Sequence, residues 1–291
     1  MVVEEIIIFG AVQGAVYALL ALGYSLVYGV GGMLNLAHGA YYLIGTYAFY
    51  IIWDEMGRNI SGYYMGMLMA IIFATITAVL SYFLIVKPLR EHEIMALIGT
   101  FALAFFFEQL IIVGYNPRTL SIPPLFDQPI TLLGIQIQLQ SLVIIIFALV
   151  TVILITIFIN KSKLGTSIRA VSQDREASML MGINADRVLM ITIMISGFLA
   201  GVASALYTPS YEVAPHIGWS VLTTAIAVVI LGGMGSLLGS VIGAFILGYV
   251  RIATIYIWED GAMFTSLVPV IVIIVILIVR PRGLFGKKEV Y

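Results

Sequence analysis

Few side chains in this sequence are equipped for chemistry, and most of those stand in apolar surroundings. Asn35 and His38 are three residues apart, so on a helix they share a face. Glu108 sits within Phe105-Phe106-Phe107-Glu108-Gln109, and Arg251 within Gly248-Tyr249-Val250-Arg251. A histidine in apolar sequence serves as proton relay, metal ligand or hydrogen-bonding bundle residue. No second ionisable residue lies near His38 in the chain to complete a relay, so the bundle role is the simpler reading. Glu108 and Arg251 would each cost about 2.5–3.5 kcal/mol at mid-bilayer, and less towards an interface. They either pair with each other or each reach the outer interface, a structural role in both cases. His38, His92 and His216 are scattered and no His-Glu-x-x-His occurs, so no metal site is expected. Cysteine is absent, which removes disulfides, thiol nucleophiles and thiolate ligands. No nucleophile stands beside a candidate base, so the sequence predicts no catalytic residue.

The elements that must position these residues are membrane spans. Of 291 residues 62% are apolar and 10% are charged. A soluble domain carries about 25% charged residues, and a water-facing surface cannot be built from this composition. One helical crossing takes about 20 consecutive apolar residues. Such runs occur near 6–28, 34–53, 63–86, 94–114, 139–159, 188–208, 237–257 and 264–279. A shorter run at 220–231 crosses only if it tilts or recruits its flanks, and is otherwise re-entrant. The fold class expected is all-α: a polytopic integral membrane bundle of about eight transmembrane helices, some broken or re-entrant. It forms one domain over 1–291. Glu4 and Glu5, rather than basic residues, lead the first run, which reads as a retained span and not a signal peptide.

Basic loops stay on the cytoplasmic side of a membrane. Lys87, Arg90, Lys161, Lys163, Arg169, Arg175, Arg187, Arg280, Arg282, Lys287 and Lys288 all fall on one side when the spans alternate. Glu4, Glu5, Asp54, Glu55, Asp127, Glu212, Glu259 and Asp260 fall on the other, with only Arg58 and Arg118. The N-terminus is therefore expected outside and the C-terminus inside. Pro117, Pro123, Pro124 and Pro129 make the connection Tyr115 to Gln138 an extended, ordered external loop. The net charge of −1 gives no reason to expect a nucleic-acid partner.

Two glycine clusters interrupt the apolar pattern, Gly29 to Gly39 and Gly232 to Ser240. Both contain Gly-Gly-Met and precede a helix rich in small residues. Paired breaks in opposite halves of a chain mark the permeation route in transporters built from repeated halves. Glycines at small-xxx-small spacing also simply let helices approach, which suits Gly235, Gly239, Gly243 and Gly248 individually. The translocation-path candidates are Gly32, Asn35, His38, Gly39, Gly232, Gly233, Gly235 and Ser236.

The connector 160–187 carries Arg169, Asp174, Arg175 and Glu176 and belongs outside the lipid. Gly165-Thr166-Ser167 offers a helix start with a capping hydroxyl. A helix from Ile168 to Met181 would stop at Gly182, and Asn184 would cap the next span. The result is a short helical knob suited to docking into a partner. Glu176-Ala177-Ser178 with Gly182 resembles the Glu-Ala-Ala…Gly coupling loop of ATP-binding-cassette importer permeases. Four segments together are similar to the branched-chain amino acid (LivH/LivM type) permease family over nearly the whole chain. They are Gly32-Met33-Leu34-Asn35-Leu36-Ala37-His38-Gly39-Ala40, Arg169-Ala170-Val171…Asp174…Ala177, Ser196-Gly197-Phe198-Leu199-Ala200-Gly201 and Gly232-Gly233-Met234-Gly235-Ser236-Leu237-Leu238-Gly239. Ala40 stands where many members carry an acidic residue.

The resemblance implies a permease of the prokaryotic cytoplasmic membrane. A second, similar permease, two cytoplasmic ATPases and an external solute-binding protein would complete the importer. Arg169, Glu176, Ala177, Ser178 and Gly182 would then be coupling positions against an ATPase, with ATP and magnesium held by those partners and no cofactor in this chain. Branched-chain amino acids are the implied substrate, with urea or small amides as the alternative. The residues alone agree that energy comes from elsewhere. No Gly-x-x-x-x-Gly-Lys-Ser/Thr loop occurs, and Gly286-Lys287-Lys288 fails the pattern. An ion-coupled secondary transporter, the lesser alternative, would be expected to carry ionisable sites at mid-depth, where the candidates are only His38, Glu108 and Arg251, with the charged two near the outer interface. A channel has no use for a docking knob.

Overall fold

The computed structural model describes residues 2–115, 118–132, 134–258, 260–265 and 267–286. Pro117, Glu259, Lys287 and Lys288 lie outside the described residues. In chain order the helices are α1 (Val2–Gly31), α2 (His38–Glu55), α3 (Ile60–Leu89), α4 (Glu93–Tyr115), α5 (Leu139–Lys161), α6 (Lys163–Gln173), α7 (Arg175–Leu180), α8 (Ala185–Tyr207), α9 (Ile217–Gly232), α10 (Leu237–Ile257) and α11 (Leu267–Val279). α3 contains a π-helical turn at Tyr82–Val86. Helices α1, α3, α4, α5, α8 and α10 are long and apolar enough to cross a membrane.

Burial explains the division of labour among them. α1 and α8 form the centre, and α1 packs on α5, α8, α9 and α10. α3, α4 and α5 lie at the periphery with outward Leu, Ile, Phe and Val side chains, such as Phe106, Val113 and Leu154. That apolar exterior would aggregate in water, and it suits lipid. α2 is only 18 residues long and is rich in Tyr and Gly, yet most of it is buried among α3, α8 and α9. A helix sheltered by its neighbours can cross with less apolarity than one facing lipid. The span expected at 264–279 is shorter than its apolar run: Gly261–Phe264 is a 3-10 turn and α11 has 13 residues. At 1.5 Å per residue that is roughly 20 Å.

Side-chain caps start α3, α8 and α10. Asn59 accepts from Gly62 N at 2.7 Å, Asn184 from Arg187 N at 2.9 Å, and Ser236 from Gly239 N at 3.1 Å. The all-helical expectation needs one correction. The proline-rich connection folds into an antiparallel hairpin, β1 (Pro129–Leu132) with β2 (Ile135–Gln138), pairing Pro129 with Gln138 and Leu132 with Ile135. Gly134, at φ +84°, makes the tight turn. Buried Ile135 and Ile137 dock on Ile8 of α1. Upstream, Leu120 and Val213 exchange backbone hydrogen bonds of 2.9 and 2.8 Å, so this loop braces the segment leading into α9.

The connections gather at two ends of the bundle. One end holds the hairpin, the 211–216 segment and the Tyr47–Tyr115 ring contact at 5.8 Å. The other holds the glycine turns, α6, α7 and the tail 280–286, with Arg90, Arg169, Arg175 and Arg280. Four of the basic residues grouped in the sequence reading thus lie at one end of the bundle.

Candidate translocation and coupling sites

The knob is built differently from the single helix expected over 168–181. Ser162, not Thr166 or Ser167, caps α6, accepting from Gly165 N at 2.8 Å. At Asp174 the backbone turns extended (φ −155°, ψ 109°) and its carboxylate caps α7 through Ala177 N at 2.9 Å. An aspartate with a free amide three residues ahead favours a new helix start over continuing the old one. Gly182 ends α7 as expected. At φ +84° it places Ile183 N on Ser178 O at 3.1 Å and its own N on Met179 O at 3.0 Å, the paired bonds of a Schellman cap.

The five predicted coupling residues divide by what they touch. Glu176 and Ala177 are exposed, beside Leu180 at 89% and Met181 at 84% exposure. Ser178 faces inward, donating to Asp174 O at 2.7 Å. Arg169 reaches back to the Ile159 carbonyl at the end of α5, where a cation also suits the helix dipole. So Ser178 and Arg169 hold the knob, and Glu176 with the apolar tip forms its outer face. The sequence reading missed Asp186. Its carboxylate binds Arg90 from the end of α3 and lies 3.4 Å from Arg175 on the knob, and its carbonyl accepts from Tyr82 Oη at 3.0 Å.

The first glycine cluster is a turn between helices, not a break within one. α1 ends at Gly31 and Gly32 takes φ +67°. Asn35 then folds the turn on itself: Oδ1 accepts from Ala37 N at 3.1 Å and Nδ2 donates to Tyr41 Oη at 3.0 Å. Tyr41 continues to Ser81 of α3, Leu36 N donates to Thr100 Oγ1 of α4 at 3.2 Å, and His38 Nδ1 meets Ser196 Oγ of α8 at 2.9 Å. Asn35 and His38 are 2% and 1% exposed, so in this conformation they knit four helices together and do not line an open path. Asn35 and His38 share this network, but the turn, rather than one helical face, joins them.

The second cluster is also a turn, from α9 into α10, with Gly233 at φ +102° and Gly235 at φ +78°. Gly232 lies against the Gly239 backbone, so α9 and α10 touch where a side chain would part them. The tail completes this turn, a contact not foreseen: Leu284 N and Phe285 N donate to the Leu231 and Gly232 carbonyls at 2.9 and 3.0 Å. The two clusters meet in space, because a Cβ on Gly29 would lie 3.6 Å from Gly235 Cα.

Glu108 and Arg251 do not pair with each other. Glu108, 4% exposed, binds His216 Nδ1 and the indole N–H of Trp219, both at the start of α9. Arg251 Nη1 donates to Tyr17 Oη of α1 at 2.6 Å. No local signal in the sequence links position 108 to 216; the braced loop before α9 brings them together. Glu108 lies on a narrow cleft whose walls include Gly39, Ala40, Leu43, Gly218 and Leu222.

A bundle of long apolar helices with a lipid-facing exterior, polar networks kept inside and an exposed helical knob is a multi-pass integral membrane protein. The sequence signature described as branched-chain amino acid transport system / permease component matches residues 6–277, and the chain belongs to that family. It is similar to the high-affinity branched-chain amino acid transport system permease protein LivH of Salmonella typhimurium, 32% identical over 97% of this chain and 94% of that protein. BraD of Pseudomonas aeruginosa, named with the same activity, is 29% identical over 97% of this chain and 95% of its own length. A probable branched-chain amino acid transport permease protein LivH of Methanocaldococcus jannaschii is 24% identical over 97% and 93%. No solved structure matches the chain.

Proposed function

We propose that this chain is the translocating permease of an ATP-driven importer for branched-chain amino acids, with its N-terminus outside and its C-terminus in the cytoplasm. The carrying observation is the knob: an exposed Glu176 beside Leu180 and Met181, on two capped helices anchored by Arg169, Ser178 and Asp186. Apolar side chains so exposed outside the spans call for a protein partner. A cytoplasmic ATPase dimer is that partner, holding ATP and magnesium. A second permease of the same family and an external solute-binding protein complete the assembly.

The bond networks suggest how motion is passed on. Nucleotide binding in the ATPases moves the knob, and Asp186 passes the displacement to α8 and, through Arg90, to α3. The adjoining glycine turns near Gly29 and Gly235 are the joints about which α1, α2, α9 and α10 reorient. α9 begins beside Glu108 at one end and finishes against the tail at the other, which favours a crossing over a re-entrant loop. Bound nucleotide shifts the inward and outward states only by its difference in affinity for them. Glu176→Lys is expected to abolish ATP-driven leucine uptake in vesicles while the chain still expresses and inserts. Unchanged uptake would remove the coupling assignment, and uptake driven by a proton or sodium gradient without ATP would remove the importer reading.

A further inference from the structure

Among the described residues Glu108 is the only buried Asp or Glu, and one of its partners is out of place for a purely structural tie. The His216 side chain is 72% exposed while the Glu108 carboxylate is 6% exposed. Two helices are held together more cheaply by neutral hydrogen-bonding groups, because a carboxylate in a span carries a desolvation cost that an exposed imidazole only partly offsets. Little of the imidazole is buried, and Glu108 itself lines the cleft.

The cleft has the complementary chemistry. Gly39 and Gly218 keep its floor free of side chains, and Ala40, Leu43 and Leu222 give apolar walls. Its free space is of the order of one water, which is also the size of a primary ammonium and far below that of a whole amino acid. A carboxylate has about four acceptor positions, so the Trp219 N–H and an ammonium can share it.

We propose that Glu108 is an ammonium subsite on the translocation route, where the substrate's amino group displaces His216 at the edge of the cleft while its aliphatic side chain stays outside it. This rests on the amino-acid importer reading and specifies which end of the substrate the permease holds. It places the contact between α4 and α9, away from Asn35, which bonds Tyr41 and Ala37, and from His38, whose Nδ1 meets Ser196.

Trp219 reports on the site directly, because its indole donates to the same carboxylate. Trp53→Phe with Trp258→Phe leaves Trp219 as the sole tryptophan of this chain, purified full-length with the subunits that accompany it, and a further Trp219→Phe control, in which the response must vanish, subtracts the tryptophans of those subunits. Leucine and 3-methylbutylamine, which both carry the ammonium, are expected to change its emission. 4-Methylpentanoate, which has the same aliphatic chain and no ammonium, is expected to leave it unchanged. Glu108→Gln should weaken the amine response at least tenfold. An equal response to 4-methylpentanoate, silence towards the amine, or a full response in Glu108→Gln overturns the subsite. The comparison of amine with acid needs no change at Glu108, so it stands even where that variant fails to fold. Leucine uptake in vesicles separates the two readings: ATP-driven uptake with a silent amine removes the subsite alone. An amine response without any leucine uptake removes the amino-acid reading and leaves a cation site.

Discussion

Replacing Gly39 by alanine tests whether the contact between α2 and α9 is set by backbone against backbone. Gly39 lies in the first turn of α2 and Gly218 in the first turn of α9. A Cβ at position 39 would overlap the Gly218 carbonyl oxygen and sit 2.9 Å from Leu222 Cβ. Neither neighbour is the free end of a flexible side chain, so the helices must part by about an ångström to restore van der Waals contact. Overpacking of this kind costs about 1–3 kcal/mol. For a chain of this size that corresponds to roughly 2–10 °C in the unfolding midpoint. The control is Gly32→Ala. Position 32 has φ +67° and no atom within 4 Å of where a Cβ would stand, so the penalty there is backbone strain alone. Asparagine, which tolerates the left-handed region, should therefore recover much of the loss at position 32 and worsen it at position 39. Thermal unfolding of the detergent-solubilised protein, followed by size-exclusion fluorescence, reads all four variants. An unchanged midpoint for Gly39→Ala, or rescue at position 39 by asparagine, would refute the close-approach argument.

Two further substitutions address the knob. Gly182→Ala should lower ATP-driven uptake by straining the Schellman cap by about 1–2 kcal/mol, whereas Gly182→Asn should retain most of it; equal loss in both would show that the left-handed backbone is not the reason glycine is there. Asp186→Asn removes a partly exposed charge from Arg90 and Arg175, a loss of about 1 kcal/mol at most from the exposed pair. Its mark is expected in transport per ATP hydrolysed rather than in stability, and an unaltered ratio in vesicles would exclude Asp186 as the link between knob and spans.

Much of the architecture follows from local sequence. Apolar runs longer than about 20 residues leave no alternative to spanning helices, since backbone groups in lipid must be satisfied within the segment. The knob's termination at Gly182 and the cap at Asn184 were readable because each depends on one residue's own conformational preference. The break at Asp174 was missed because the same helix-forming stretch reads equally well as one helix or two. Only the realised capping bond at Ala177 N separates them. The external hairpin was likewise hidden, since four prolines announce an extended loop but do not say that Ile135 and Ile137 will dock on α1.

The sequence by itself determined that this protein lives in a membrane, where its basic residues cluster along the chain, and to which permease family it belongs. Each of these depends on residue type within a short window, or on a pattern spread along the chain. Tertiary structure alone decided what the few polar side chains do. It closed Asn35 and His38 into a buried network, joined Asp186 to two arginines, and separated Glu108 from Arg251. It then set Glu108 beneath an exposed histidine at the edge of an apolar cleft. The physical reason is that burying a polar group demands a partner without naming one. The partner is chosen by how the helices pack, and no short window of sequence records that choice.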